Sequence, residues 1–292
     1  MITIHHKWKR RVLWSGAVFL VAAGILASLV FSRFHFTNQS FPTLAWLQGN
    51  QHVVSSPKLD RLLIGHRGSL RKSTQRGVFI GNTASSIRHA VVSGLDWIEV
   101  DVRRTKDGHL VVFHDETIDR KTTGSGPIAA LELADLKAVD LRLEPVEKIL
   151  TLDEVFEQFH SSKRHWVLDI KARGMKHEVL QFVRKRLQKD QFVLFGTYDV
   201  LKEYEGSGYV LGMTAVWKSN HLRALFAPSQ IVRRCKDIDC EYLVLSAVFA
   251  TQSLIDRAKA EDIRLLIYGT DNAMDLQQLA RRGVDGFIID HP

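Results

Sequence analysis

The sequence predicts an α/β protein, a TIM-type (β/α)8 barrel with a small insertion, preceded by one N-terminal transmembrane helix. Three observations predict it. From residue 61 onward, short apolar and β-branched runs alternate with amphipathic stretches, the pattern of parallel strands joined by crossover helices. About eight such runs fill the length, which suits a closed barrel. Ahead of them, residues 12–31 form an uninterrupted apolar segment without a charge.

Composition sets the limits. The chain has 292 residues, 45% hydrophobic and 25% charged, an ordinary globular balance with no sign of disorder or low complexity. Without the apolar segment about 240 residues remain, enough for one barrel or two small domains. The net charge is +8, and Lys7, Lys9, Arg10 and Arg11 supply four of those charges. Basic clusters interleaved with stacking aromatics are missing, which argues against a nucleic-acid partner.

Residues 1–11 read as a basic cytoplasmic tail. Residues 12–31 (VLWSGAVFLVAAGILASLVF) span roughly 30 Å as a helix, the thickness of the hydrocarbon core. Four basic residues precede this segment and only Arg33 follows it closely. The positive-inside bias then places the N-terminus in the cytoplasm and the rest of the chain outside it, on a single-pass anchor in the cell membrane. Cleavage as a signal peptide near Leu26-Ala27-Ser28 is the alternative fate. Residues 32–58 read as a tether, and the folded domain is expected over 59–292.

Within that domain the expected strands are 61–65, 97–102, 109–114, 166–170, 192–195, 209–214, 242–245, 264–268 and 286–289. Helices are expected over 83–93, 176–188, 251–261 and 272–282. A doubly wound open sheet is the competing arrangement, but no G-x-G-x-x-G follows the first strand. One pair of strands breaks the alternation. Only Asp107-Gly108 and their neighbours separate 97–102 from 109–114, too little for a parallel crossover, and Asp-Gly signals a hairpin. A two-residue turn there pairs Lys106 with His109 and, counting back, sets His114 opposite Asp101. Glu99 and Asp101, two apart, share a face with it. Cys235 and Cys240, in CKDIDC, are read either as a disulfide or as two thiols; no zinc spacing accompanies them.

Four segments carry candidate chemistry, each at a strand end, where a barrel places its active site. They are Ile64-Gly65-His66-Arg67-Gly68, Ile98-Glu99-Val100-Asp101, Phe113-His114-Asp115 and Leu168-Asp169-Ile170-Lys171. Glu99, Asp101 and Asp169 are hard oxygen donors, suited to Mg²⁺ or Ca²⁺. Inward carboxylates in apolar strands cost several kcal/mol unless a cation neutralises them. Arg67 and Lys171 offer positive charge to a phosphate. His66 and His114 fit a general acid/base pair, because imidazole titrates near neutral pH.

These segments resemble the glycerophosphodiester phosphodiesterase family. His66-Arg67-Gly68, Asn82-Thr83, Ile98-Glu99-Val100-Asp101-Val102, Thr105-Lys106-Asp107-Gly108 and Val111-Val112-Phe113-His114-Asp115 stand in the family's order. So do the run from Thr117 to Gly126, Thr151-Leu152-Asp153-Glu154-Val155, and Gly283-Val284-Asp285-Gly286-Phe287-Ile288-Ile289-Asp290. The resemblance implies a TIM-type barrel with a small insertion after His114. It also implies a divalent metal on Glu99, Asp101 and Asp169, and catalytic roles for His66 and His114. The implied reaction releases a glycerol phosphate and an alcohol from a glycerophosphodiester or lysophospholipid. In it a neighbouring glycerol hydroxyl attacks phosphorus, and water opens the resulting cyclic phosphate.

The chain departs from the family pattern in three places. Ile80-Gly81 stands where the family has Pro-Glu, so one carboxylate is missing. Asp169 stands where Glu is usual. The loop from His66 to Asn82 is longer and carries Arg71, Lys72 and Arg76. The competing functional readings are a catalytically weakened homologue serving as a membrane-anchored binding or regulatory protein, and a related barrel phospholipase of D or C type.

Overall fold

The computed structural model describes residues 62–72, 79–160, 164–186, 189–215 and 227–292, all within the unit Ser40–Pro292. The expected basic tail, membrane-spanning segment and tether, residues 1–58, lie outside the described residues. Among the described residues no helix is long and apolar enough to cross a membrane.

Eight parallel strands close on themselves: β1 (Leu62–Gly65), β4 (Trp97–Arg104), β6 (His165–Ile170), β7 (Phe192–Gly196), β8 (Leu211–Thr214), β9 (Tyr242–Ser246), β10 (Arg264–Tyr268) and β11 (Gly286–Ile289). Closure comes from β1, which pairs with β11 on one side (Leu62↔Gly286 to Gly65↔Ile289) and with β4 on the other (Ile64↔Trp97). A short β5 (Leu110–Val112) runs antiparallel beside β4, and β2 (Arg71–Lys72) and β3 (Phe79–Ile80) form a separate two-residue ladder. The expected parallel barrel is therefore present, and the open sheet is excluded.

Crossovers are made by α1 (Ala84–Val92), α3 (Leu152–Phe159), α4 (Lys176–Arg186), α5 (Tyr198–Leu201), α6 (Pro228–Asp237), α7 (Gln252–Ala260) and α8 (Ala273–Arg281); α2 (Leu133–Ala138) lies in the insertion after β5. Local signals start several of them. Thr83 and Thr151 close capping boxes with Ser86 and Glu154, while Thr251 and Asn272 accept first-turn N–H groups.

Strand parity separates two cores, as a sheet covered on both faces requires. On β6, Trp166, Leu168 and Ile170 face outward into a cluster with the helices, while Val167 joins Ile64, Val193, Phe195, Tyr242, Val244, Leu266 and Ile288 inside the barrel. On β4, Ile98, Val100 and Val102 belong to the outer cluster, so Glu99 and Asp101 point into the barrel. The insertion has its own small core of Val111, Phe113, Ile118, Ile128, Leu136, Leu141 and Ile149. Cys235 and Cys240, both buried at the end of α6, form a disulfide with Cα atoms 5.1 Å apart, ordinary for such a bridge.

The hairpin exists, but its register differs from expectation by one residue. Arg104 pairs with Leu110 and Val102 with Val112, which puts Phe113, not His114, across from Asp101. The turn has three residues, Lys106, Asp107 and Gly108. Thr105 N–H donates to His109 O (2.9 Å), and Thr105 Oγ1 accepts from His109 N–H (2.9 Å). Gly108 takes φ +90°, the left-handed position that closes a three-residue loop.

Candidate active site

The site gathers at the C-terminal end of the barrel, where β1, β4 and β6 are neighbours. His66 follows β1 directly. Its backbone N–H donates to Ile289 O (2.9 Å), and its Nδ1 lies 2.5 Å from Asp290 Oδ1, just past β11. A carboxylate beside Nδ1 implies that this nitrogen carries the proton, which leaves Nε2 for a substrate. The chain then turns through two left-handed residues, Arg67 (φ +53°) and Gly68 (φ +78°), and Asn82 is also left-handed (φ +62°). Such conformations are costly for non-glycine residues, and here the surroundings hold them. Arg67 N–H donates to Glu99 Oε2 (2.7 Å), Gly68 N–H to Glu99 O (3.1 Å), and Asn82 N–H to Arg67 O (2.9 Å).

Glu99, Asp101 and Asp169 are all buried, and one oxygen from each lies within 4.8 Å of the others. Asn82 grips Asp101 twice: its Nδ2 donates to Asp101 Oδ2 (2.7 Å), and its Oδ1 accepts Asp101 N–H (3.0 Å). Lys171 Nζ reaches Asp101 Oδ1 (2.7 Å) and Asp169 Oδ2 (2.5 Å), and Arg67 Nε lies 3.0 Å from Asp101 Oδ2. Both expected phosphate-binding cations thus touch the carboxylates. Glu99 Oε1 is buried with no hydrogen-bond partner. Two cations stand against three carboxylates, and the orphaned oxygen marks where charge remains uncompensated. The set fits a hard divalent cation, so these three residues could hold a metal ion.

The electrostatics agree. Burial, then Asp101 and Asp169, push Glu99 well above the usual carboxylate range. Burial would raise Asp101 too, but Lys171 and Arg67 outweigh it and hold that carboxyl well below its ordinary value. Burial works against the charge on Lys171, yet Asp101 and Asp169 raise its affinity for a proton.

His114 reaches the site from a bend after β5, not by cross-strand pairing. Arg103 pins the bend, its Nε and one Nη donating to His114 O at 3.0 and 2.7 Å. His114 Nδ1 lies 2.8 Å from Asp115 Oδ1, and Asp115 is held in turn by Arg120 (2.9 Å) and the buried Lys121 (3.5 Å). Burial lowers the His114 imidazole from its ordinary value, with Asp115 partly offsetting it. Both expected histidines therefore carry a carboxylate on Nδ1.

Asn82 and Asp290 stand in the resemblance motifs without an expected role, and Thr214 and Tyr268 are two residues of this site that carry no signal in the sequence beyond standing at strand ends. Asp290 ends the last strand, and the strand-end rule alone could have flagged it. Thr214 and Tyr268, at the ends of β8 and β10, line an inner cavity of about 80 Å³ together with His66, Arg67, Glu99, His114, Asp169 and Lys171. An outer cleft of about 650 Å³ shares His114, Asp169, Lys171 and Thr214 with it. Of the expected basic loop, Arg71 and Lys72 form β2, and Arg76 lies outside the described residues.

Behind Asp290, Asp271 accepts the N–H groups of Asp290 (3.0 Å) and His291 (3.1 Å). Burial, and then the Asp290 carboxylate, push Asp271 up to about 6. A carboxyl raised in the fold is held ionised at a cost that is present above about pH 6 and gone below about pH 4. Its contribution to stability should therefore fall by about 3 kcal/mol as pH rises through that window. Asp271→Asn is expected to flatten this slope in unfolding measured from pH 4 to 8; an unchanged slope would assign the titration elsewhere.

Gly81 has a packing reason. A Cβ there would lie 2.5 Å from Arg67 Cβ and 2.9 Å from Arg67 O, inside the turn that carries Arg67. Gly81→Glu is accordingly expected to cost about 1–3 kcal/mol of stability without raising turnover. A more active and equally stable variant would show that the missing carboxylate limits the enzyme.

Residues 66–292 match the model of the glycerophosphoryl diester phosphodiesterase family. A glycerophosphodiester phosphodiesterase of Caldanaerobacter subterraneus is 27% identical over 243 residues, covering 79% of this chain and 94% of that protein. Among solved structures, the glycerophosphodiester phosphodiesterase of Thermotoga maritima superposes with a TM-score of 0.64 at 25% identity, over 79% of this chain and 95% of that one. An Oleispira antarctica phosphodiesterase, solved with its product sn-glycerol-3-phosphate, shares the fold with a TM-score of 0.65 at 24% identity, over 79% and 93% of the two chains.

Proposed function

From the premise that this chain belongs to the glycerophosphoryl diester phosphodiesterase family, and is a hydrolase acting on glycerophosphodiesters, we propose that Glu99, Asp101 and Asp169 hold a catalytic Mg²⁺ or Ca²⁺. His66 and His114 are then the proton-transfer pair. The observation that carries this reading is the orphaned Glu99 Oε1 among three buried carboxylates, beside two histidines whose Nδ1 atoms are each held by a carboxylate. When bound, the cation supplies charge stabilisation at the phosphoryl oxygens.

This chain's own residues do the rest. Arg67 and Lys171 add fixed positive charge where the phosphate sits. One imidazole takes the proton of a glycerol hydroxyl through Nε2 as that oxygen bonds to phosphorus. The other protonates the departing alcohol oxygen through its Nε2 as the phosphorus–oxygen bond breaks. Water then opens the cyclic phosphate with the proton transfers reversed. Asp290 and Asp115 keep each ring oriented and stabilise its protonated form.

The departing alcohol extends into the outer cleft, which is large enough for a choline or an ethanolamine. The test is release of choline or ethanolamine by the full chain in detergent. Substrates are glycerophosphocholine, glycerophosphoethanolamine and lysophosphatidylcholine, each with Mg²⁺, Ca²⁺ or EDTA. Metal-dependent release from one of them is expected. A folded protein silent on all three with either metal would instead support the binding homologue.

The proposal extends to location: residues 12–31 anchor the chain in the cell membrane, with the N-terminus cytoplasmic and residues 59–292 outside as the catalytic domain. The apolar segment, the basic residues before it and the Cys235–Cys240 disulfide, which suits an oxidising compartment, support this. Membrane-bound activity that resists carbonate extraction and is open to external protease is expected. Activity confined to the cytosol would sink it.

A further inference from the structure

Three buried side-chain atoms in the lining of the inner cavity make no hydrogen bond: Arg67 Nε, Glu99 Oε1 and Thr214 Oγ1. Arg67 Nε has an ion-pair partner in Asp101. The cation proposed above accounts for Glu99. Thr214 has no charge, and its hydroxyl is shut away from solvent, the residue being 7% exposed. A hydroxyl hidden without a partner is costly and calls for a group that both donates and accepts.

Position narrows what that group is. β8 lies four strands from β1 in either direction around the ring, so Thr214 faces His66 from the opposite wall. It also stands where the inner cavity meets the outer cleft. The strands on either side of it, β7 and β9, bring the apolar Phe195 and Val244 to the cavity lining. The cationic and anionic groups come from on and after β1, β4 and β6, none of which is a strand next to β8. A phosphate or an ammonium would find no counter-charge on the two strands flanking Thr214. An uncharged polyol would find carbon surface for its backbone and a hydroxyl for one of its own.

We propose that Thr214 Oγ1 hydrogen-bonds a glycerol hydroxyl of the substrate in the inner cavity and thereby sets the preference for glycerol-containing diesters. This rests on the phosphodiesterase reading above. It adds a specificity residue that carries no charge and touches neither the cation nor the departing alcohol.

The experiment compares the full-length wild type with Thr214→Val, which keeps the shape and loses the hydroxyl, and Thr214→Ser, which keeps the hydroxyl. Where the Val variant does not fold, Thr214→Ala replaces it. Inhibition by sn-glycerol 3-phosphate and by inorganic phosphate is measured beside turnover of glycerophosphocholine and glycerophosphoethanolamine. Thr214→Val is expected to weaken glycerol 3-phosphate and raise KM for both substrates about tenfold. Inorganic phosphate inhibition and the ratio between the two substrates should stay the same, and Thr214→Ser should stay close to wild type.

An unchanged inhibition constant for glycerol 3-phosphate would overturn the proposal and leave the hydroxyl to a bound water. Equal losses for glycerol 3-phosphate and phosphate would also overturn it, as general damage to the site. A wild type inert on every glycerophosphodiester would instead sink the catalytic reading. Thr214 would then be judged by calorimetric binding of glycerol 3-phosphate, where the same tenfold difference between wild type and Val, or its absence, decides.

Discussion

Glu99→Gln is expected to cut metal-dependent turnover by about a thousandfold or more, equal to about 4 kcal/mol of barrier, while making the metal-free protein more resistant to heat. The two effects share a cause. Glu99 is buried beside Asp101 and Asp169, and one of its oxygens has no partner. In metal-free protein that charge is a liability, because desolvation and repulsion both oppose it. A glutamine oxygen can still accept Arg67 N–H, as Oε2 does at 2.7 Å. Its NH₂ would then replace the orphaned oxygen and donate toward the remaining carboxylates. Stability rises where function is lost, as at sites that store unfavourable charge for a ligand. Thermal melting in EDTA, set beside alcohol release with added Mg²⁺ or Ca²⁺, reads both. A Gln variant with undiminished metal-dependent turnover would remove Glu99 from the proposed metal site.

His66→Ala is expected to lower kcat by about 10²- to 10⁴-fold, the usual worth of a positioned proton donor or acceptor, with little change in KM. His66 is partly exposed and its backbone is held independently through Ile289 O, so the fold should survive the truncation. Asp290→Asn tests the ring's orientation. The amide can accept from Nδ1, but rotated it offers a donor and selects the wrong tautomer, a change that elsewhere costs up to about 10⁴-fold. A smaller but substantial loss in kcat is expected here, again with KM intact. Partial rescue of His66→Ala by added imidazole would separate lost chemistry from lost structure. Full activity in His66→Ala would hand the proton transfers to His114 and solvent.

The period-two pattern of β4 already placed Glu99 and Asp101 on one face, because Ile98, Val100 and Val102 had to take the other. The inner face followed from the same rule, since a covered barrel leaves no solvent for either side of a strand. Asp169 and Lys171 were legible for a related reason: a charged residue ending an apolar run stands at the strand's mouth. The hairpin was legible as a hairpin, but not its register. Asp107-Gly108 announces a turn, and the sequence does not say that Thr105 would close a three-residue loop around Gly108 and shift every pairing by one. His114 still arrived, because Arg103 pulls its carbonyl down and turns the chain after β5.

What the sequence alone determined is which residues face the barrel interior and which end its strands, since alternation and apolar content are local properties. What only the tertiary structure decided is who partners whom. His66 and Asp290 are 224 residues apart and meet because β1 pairs with β11 when the barrel closes. Asn82 grips Asp101 from a left-handed turn on another segment, and Thr214 looks across at His66 because half the ring separates their strands. Such contacts depend on closure, a property of all eight strands together, and no window of sequence contains it.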